Sequence, residues 1–214
     1  MHGSTQLASD DPAGTKPFDL FLNSSSWLIA ATEKDLYKLS ALDGSTELVF
    51  EGDGGDGGRE FLSPVDVVND VAYIASTDNF LNAINLNTGE LLWERELGRA
   101  VEDGYPTVPI CSASSCYIVG GTYDLYEFGI PDGEPRGTVS LDRNGGAIGS
   151  RLPLITEQKI YVGADYSDGT YRLNVYSRND GSLQESIEFE DQIFATPVVA
   201  DRKLFVVTSS PSTR

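Results

Sequence analysis

Three groups of residues have types and spacings that could do chemistry. The first is Gly52-Asp53-Gly54-Gly55-Asp56-Gly57-Gly58-Arg59-Glu60, where Asp53, Asp56 and Glu60 put hard oxygen donors on a glycine loop. They are candidate calcium ligands, because calcium is held by carboxylates on chain that can wrap around it. The spacing lacks the alternating acids of an EF-hand loop, and no Gly-Lys-Ser/Thr follows to make a phosphate cradle. The competing assignment is a connection between the apolar runs at Phe50 and Phe61. Asp165, Asp168 and Gly169 pose the same choice, between a cation loop and an extended hairpin tip.

The second group is Cys111 and Cys116, which flank the polar turn Ser112 to Ser115 between two strand-like runs. A hairpin of that loop length sets the two cysteines opposite each other. Bonded, they imply an oxidising compartment; the alternative is two free thiols. The third group is the acids at large, 33 Asp plus Glu. Glycoside hydrolysis needs two of them at a fixed separation, which spacing along the chain does not give. The single histidine, His2, lies in a polar tail and offers no base to a serine or cysteine nucleophile and no zinc set of Cys/His type. The expectation is a chain with no catalytic site and no cofactor.

With 15 Lys plus Arg, the formal net charge is -18. Such a field repels nucleic acid and anionic membrane surfaces, so neither is an expected partner. No run of 18 or more apolar residues exists, so direct membrane insertion by a helix is not expected either. Residues 1–17 are polar and lack the apolar core of a signal peptide. Asn23-Ser24-Ser25 is a glycosylation sequon, which matters only in a eukaryotic secreted chain.

What must position these residues is a repeat. Tyr73, Tyr117, Tyr161 and Phe205 each sit inside an apolar triplet and recur every 44 residues. Turn glycines follow in phase at Gly44, Gly89, Gly133 and Gly181, with steps of 45, 44 and 48. The longer last step fits an insertion in Asp165 to Thr170. Prolines enter each unit at Pro17, Pro64, Pro109 or Pro106, Pro153 and Pro197. Within residues 62–98, four short runs rich in Val, Ile, Leu and Tyr are separated by Gly, Asn and Asp turns. No long apolar run has the 3.6-residue helical period.

Four strands in a unit of about 40–50 residues is the signature of a propeller blade. The predicted fold is all-β: a β-propeller of four-stranded antiparallel blades at residues 18–61, 62–105, 106–150 and 151–193, with a partial blade at 194–214 and a tail at 1–17. The apolar phase puts Ile29, Val67, Tyr73, Ile74, Ile84, Trp93, Ile118, Ile160, Tyr161, Val199 and Phe205 inside. Tyr123, Tyr126, Tyr166 and Tyr171 cluster near turns and are either interface material or packing between blades. Residues 1–17 lack the alternation of a strand pair, so the ring is expected not to close without further blades or another chain.

Ala83-Ile84-Asn85-Leu86-Asn87-Thr88-Gly89-Glu90-Leu91-Leu92-Trp93 resembles the tryptophan-docking motif of the PQQ-type propeller repeat. The resemblance implies that Thr88 and Gly89 make a tight turn and that Trp93 packs between blades. The motif is sharp in one unit; Leu48, Gly137 and Glu185 hold the place of Trp93 in the others. The family includes quinoprotein dehydrogenases, non-catalytic members similar to the BamB-type assembly lipoprotein, and sensor and surface domains. Its dehydrogenases share an adjacent Cys-Cys pair, a calcium held by Glu, Asn and Asp, and a catalytic Asp. Here Cys111 and Cys116 are separated by four residues, and no position matches the calcium or catalytic groups. The resemblance therefore implies a non-catalytic scaffold or sensor with a protein partner, in the periplasm, at the cell surface or secreted. The alternative is a fragment of a quinoprotein dehydrogenase or other propeller enzyme whose site lies elsewhere.

Overall fold

The computed structural model describes residues 19–22, 27–32, 34–52, 60–61, 65–98, 108–120, 124–141, 146–147, 153–166, 168–201 and 203–209. The described residues form strands, turns and bends without a helix. Asp53, Asp56, the sequon, His2, Tyr123 and the tail at 1–17 lie outside them.

The strands form antiparallel meanders. The first sheet is β1 (Asp19–Leu22), β2 (Trp27–Ala31), β3 (Leu36–Ser40) and β4 (Thr46–Phe50), paired in that order. The second is β5 (Asp66–Val68), β6 (Val71–Ala75), β7 (Phe80–Asn85) and β8 (Leu91–Glu96). The third is β9 (Ile110–Cys111), β10 (Ser115–Val119), β11 (Asp124–Gly129) and β12 (Pro135–Ser140). The fourth holds β13 (Gly146–Ala147), β14 (Leu154–Ile155), β15 (Lys159–Tyr166), β16 (Tyr171–Ser177) and β17 (Leu183–Phe189). Last come β18 (Gln192–Ile193), β19 (Val198–Ala200), β20 (Lys203–Phe205) and β21 (Thr208–Ser209), in which β18 pairs with β21 and β19 with β20.

Local chemistry explains the turns. Val68 pairs with Val71 across a two-residue loop, and Asn69 and Asp70 both take positive φ, 51° and 59°. A two-residue hairpin loop of that hand matches the twist of its strands, and Asn and Asp tolerate it best after glycine. At the outer hairpins the left-handed position falls to Gly44, Gly89, Gly133 and Gly181, with φ between 68° and 74°. An acid one residue earlier locks three of these four loops. Asp43 accepts from Ser45 N and Oγ, Asp180 from Ser182 N and Oγ, and Asp132 from Glu134 N. In the second sheet Asn85 Oδ1 accepts from the N–H groups of Asn87 and Thr88, and Thr88 Oγ1 accepts from Glu90 N.

Two compact units divide the chain, Met1–Thr122 with Tyr126–Arg136, and Tyr123–Leu125 with Gly137–Arg214. In the first unit, strand alternation sends opposite faces of the second sheet into two cores. Ala72, Ile74 and Ile84 pack with Ile29, Ala31 and Leu36 of the first sheet, while Tyr73, Ala75, Leu81, Ala83 and Trp93 pack with Cys116, Ile118 and Phe128. In the second unit, Ile160, Val162 and Ala164 on β15 and Leu173 and Val175 on β16 are buried.

Three expectations need correction. Pairing crosses the boundaries placed at 150/151 and 193/194, because Gly146 and Ala147 pair with Tyr166 and Asp165, and Gln192 and Ile193 pair with Ser209 and Thr208. The cause at the first boundary is the long hairpin of the fourth sheet: β15 has eight residues, β14 covers only Ile160 and Tyr161, and β13 takes the edge left over. Val199 and Phe205 are not inside; they are 44% and 53% exposed. The repeat phase assigns a face, and among the described residues no third strand continues their sheet. Finally, Tyr161 is only half-buried; Val67, also half-buried, packs against the first core as expected.

Candidate interaction surface

The second unit ends in one irregular hairpin. Ile193 pairs with Thr208, Phe194 N donates to Val207 O (2.8 Å), and Val198, Val199 and Ala200 pair with Phe205, Leu204 and Lys203. Its base is fixed by Gln192, whose side-chain amide donates to Asp165 Oδ2 at 2.7 Å, and by buried Ile193. Along 203–207 the faces alternate strictly: Lys203, Phe205 and Val207 are exposed, Leu204 and Val206 half-buried. The exposed face joins Phe194 (69% exposed), Val198, Phe205 and Val207, with Val198 directly opposite Phe205; Val199, also exposed, is opposite Leu204 and lies on the other face. An apolar set of this kind on an open strand pair marks a contact surface or an aggregation hazard. The aromatic repeat position shows the same change along the chain: Tyr73 and Tyr117 are buried, Tyr161 half-buried and Phe205 exposed.

The seating of one sheet on the next has a recurring geometry in both units. A Cβ placed on Gly89 would strike the carbonyl oxygen of Val49 on β4. One on Gly133 would lie 2.6 Å from Trp93 Cδ2 on β8, and one on Gly181 would lie 3.2 Å from a methyl of Val139 on β12. Each turn glycine thus rests on the outermost strand of the preceding sheet. The residues that receive it are Val49, Trp93 and Val139, so Leu48 and Gly137 do not take the part of Trp93. Leu48 is exposed, and a Cβ on Gly137 would meet open space. A fixed offset from the glycine fails, because the seat falls five residues after Gly44, four after Gly89 and six after Gly133.

Trp93 carries the expected inter-sheet role. Its Nε1 donates to Pro131 O (2.6 Å), its ring lies 5.7 Å from Tyr73 and 6.4 Å from Phe128, and the Arg95 guanidinium covers it at 5.6 Å. Arg95 also donates to the carbonyls of Gly133 and Asp132. The neighbouring Tyr73 hydroxyl is buried without a hydrogen-bond partner among the described residues, and burial, with the charge of Asp66, pushes its pKa up to about 12. Asp66 ties the second sheet to the third, accepting from Cys111 N at 2.7 Å.

Cys111 and Cys116 are directly opposed on β9 and β10 and form a disulfide. Ser112 Oγ accepts from the N–H groups of Ser114 and Ser115 and shapes the turn between them. Glu60 meets Thr77 through backbone and hydroxyl contacts, and among the described residues no three His, Cys, Asp or Glu side chains gather as a metal set. Asp168 caps its own turn through Thr170 N and Oγ1 and meets Arg172 at 3.7 Å, as a hairpin tip does. Two of the four clustered tyrosines pack: Tyr126 stacks on Phe128, and Tyr166 lies under Arg172 with its hydroxyl accepting from Asn174.

No family model and no curated protein matches the chain. Solved structures do match its fold. BamB from Moraxella catarrhalis is 17% identical with a TM-score of 0.57, over 80% of this chain and 52% of its own. The computationally designed Ika8 protein is 12% identical with a TM-score of 0.62, over 88% and 54%. The N-terminal domain of Nup159 is 15% identical with a TM-score of 0.55, over 86% and 52%. The chain therefore spans about half the length of these structures. The four-stranded meanders are β-propeller blades, about four of them.

Proposed function

We propose that the chain belongs to a non-catalytic, PQQ-type (BamB-like) propeller scaffold or sensor working outside the cytoplasm, with a protein partner engaged at the open terminal hairpin. The observation that carries this is the apolar face of Phe194, Val198, Phe205 and Val207 beside a strand edge without a third strand among the described residues. Backbone edges bind polypeptide by strand addition, and alternate side chains add selectivity. The Cys111–Cys116 bond supports an oxidising setting. The net charge of -18 favours a protein surface over nucleic acid.

A photo-crosslinking residue at position 205, introduced into the protein in its source cells, tests the proposal. The expected product is one adduct, identified by peptide sequencing, that is lost when Val198→Asp is added. The control position is Leu42, which is 88% exposed but stands apart from this surface. Equal labelling at the two positions, or no adduct from position 205, would overturn it.

A further inference from the structure

We infer that the Cys111–Cys116 bond is a thiol-exchange site, opened by a dithiol that attacks Cys111, and that its opening releases strand β9 from the strands on either side of it.

β9 is the most weakly paired first strand in its unit. β1 meets β2 through four residue pairs and β5 meets β6 through three. β9 meets β10 through two, Cys111 with Cys116 and Ile110 with Tyr117. One step beyond them, Ser112 N donates to Ser115 O at 2.8 Å. Hydrogen-bonded and non-bonded pairs alternate along an antiparallel ladder, so Cys111 and Cys116 form a non-bonded pair and Ile110 and Tyr117 a bonded one. The disulfide is therefore the link between the two strands at that step. The same alternation turns the Cys111 N–H away from β10, where it donates to Asp66 Oδ2 on β5 at 2.7 Å. Asp66 is held in turn, since its Oδ1 accepts from Val67 N. Cys111 thus ties β9 to both neighbours, to β10 through its sulfur and to β5 through its amide.

The two cysteines differ in access. Cys116 is fully buried, in the core that holds Tyr73, Ile118 and Phe128, while Cys111 is half-buried on the edge strand. A nucleophile from solvent therefore meets Cys111. Its thiolate bonds to Cys111 Sγ, the bond between the cysteines breaks, and the electron pair leaves on Cys116 Sγ, which takes up a proton. The second thiol of the reagent, as thiolate, then attacks the reagent's own sulfur in the mixed disulfide. Cys111 leaves and is protonated, the reagent departs as a disulfide, and the protein has gained two electrons and two protons. Among the described residues, the hydrogen bonds left to β9 are those of the Ile110–Tyr117 pair, the adjoining turn and Asp66. A short edge strand held by so few bonds frays.

Residue-resolved amide exchange of the 214-residue protein, oxidised and after reduction with dithiothreitol, tests this. Strand β7, paired on both sides, is the internal reference. The expected result is exchange of the Ile110 and Cys111 amides at least about tenfold faster on reduction, with β7 unchanged. In a second measurement, oxidised protein meets an excess of glutathione, is quenched with acid and is alkylated in denaturant. Peptide mapping should find glutathione on Cys111 and the alkyl group on Cys116. Three results would each overturn the inference: unchanged exchange at Ile110 and Cys111 after complete reduction, loss of protection in β7 as well, or glutathione absent from Cys111.

Discussion

Trp93 lies against Gly133: a Cβ added at Gly133 would sit 2.6 Å from Trp93 Cδ2, while the indole N–H donates to Pro131 O at the other end of the same turn. The indole and the glycine form one joint between the second and third sheets. Trp93→Ala should cost roughly 3–5 kcal/mol, the range for deleting a large buried aromatic. Gly133→Ala should cost more than Gly169→Ala. Both glycines have positive φ, but a Cβ at Gly169 meets open space. That control therefore carries only the left-handed backbone penalty, about 1–2 kcal/mol. Urea denaturation midpoints of the three variants check the order.

Tyr73 offers a prediction of opposite sign. Its hydroxyl is buried and has no hydrogen-bond partner among the described residues, so the folded protein gives up hydration of that group without a bond in return. Tyr73→Phe should leave stability unchanged or raise it by up to about 1 kcal/mol. In the wild type, the Tyr73 hydroxyl should ionise late in an alkaline titration, near its raised value of about 12. A Tyr73→Phe variant clearly less stable than wild type would show that the hydroxyl has a partner.

The capped turns set an acid limit. Ser45 N and the hydroxyls of Ser40 and Ser45 hold the Asp43 carboxyl down to about 2. Thr170 lowers Asp168 and Ser182 lowers Asp180 in the same way. A group whose folded pKa lies below its unfolded value stabilises the fold above the unfolded value and loses that effect as pH falls through the folded one. Melting temperature should therefore fall between about pH 4 and pH 2. The triple variant Asp43→Asn, Asp168→Asn, Asp180→Asn should show a shallower fall over that window.

Cys111 and Cys116 close a short loop, so the chain-entropy contribution of their bond is small for a disulfide, about 2 kcal/mol. The native protein should resist thiol reagents until reduced, and its intact mass should rise by two hydrogens on reduction. Cys111→Ser with Cys116→Ser should lower the denaturation midpoint and leave the far-ultraviolet spectrum strand-like. Rapid labelling of both thiols in unreduced protein would remove the support for an oxidising setting.

Much of this was legible in the residues themselves. The 44-residue recurrence of Tyr73, Tyr117 and Tyr161 marks second strands, and the in-phase glycines mark the turns of positive φ. Trp93 was legible as a packing residue because its motif is intact. The seats at Val49 and Val139 were not, since the contact falls five residues after the glycine in one and six in the other, against four at Trp93. Nor was the exposure of Val199 and Phe205. Alternation in a strand fixes which side a residue faces, while burial depends on whether another layer lies there. The pairing of β13 with β15 was hidden for a similar reason, because it follows from the unequal lengths of β14 and β15.

The account turns on an open strand at residues 203–209 beside fully paired blades. Residue-resolved amide exchange of the dilute 214-residue protein tests this most directly. Strands β7 and β16, each paired on both sides, should exchange orders of magnitude more slowly than residues 203–209. Protection over 203–209 equal to that of β16, in protein shown by light scattering to be monomeric, would contradict it.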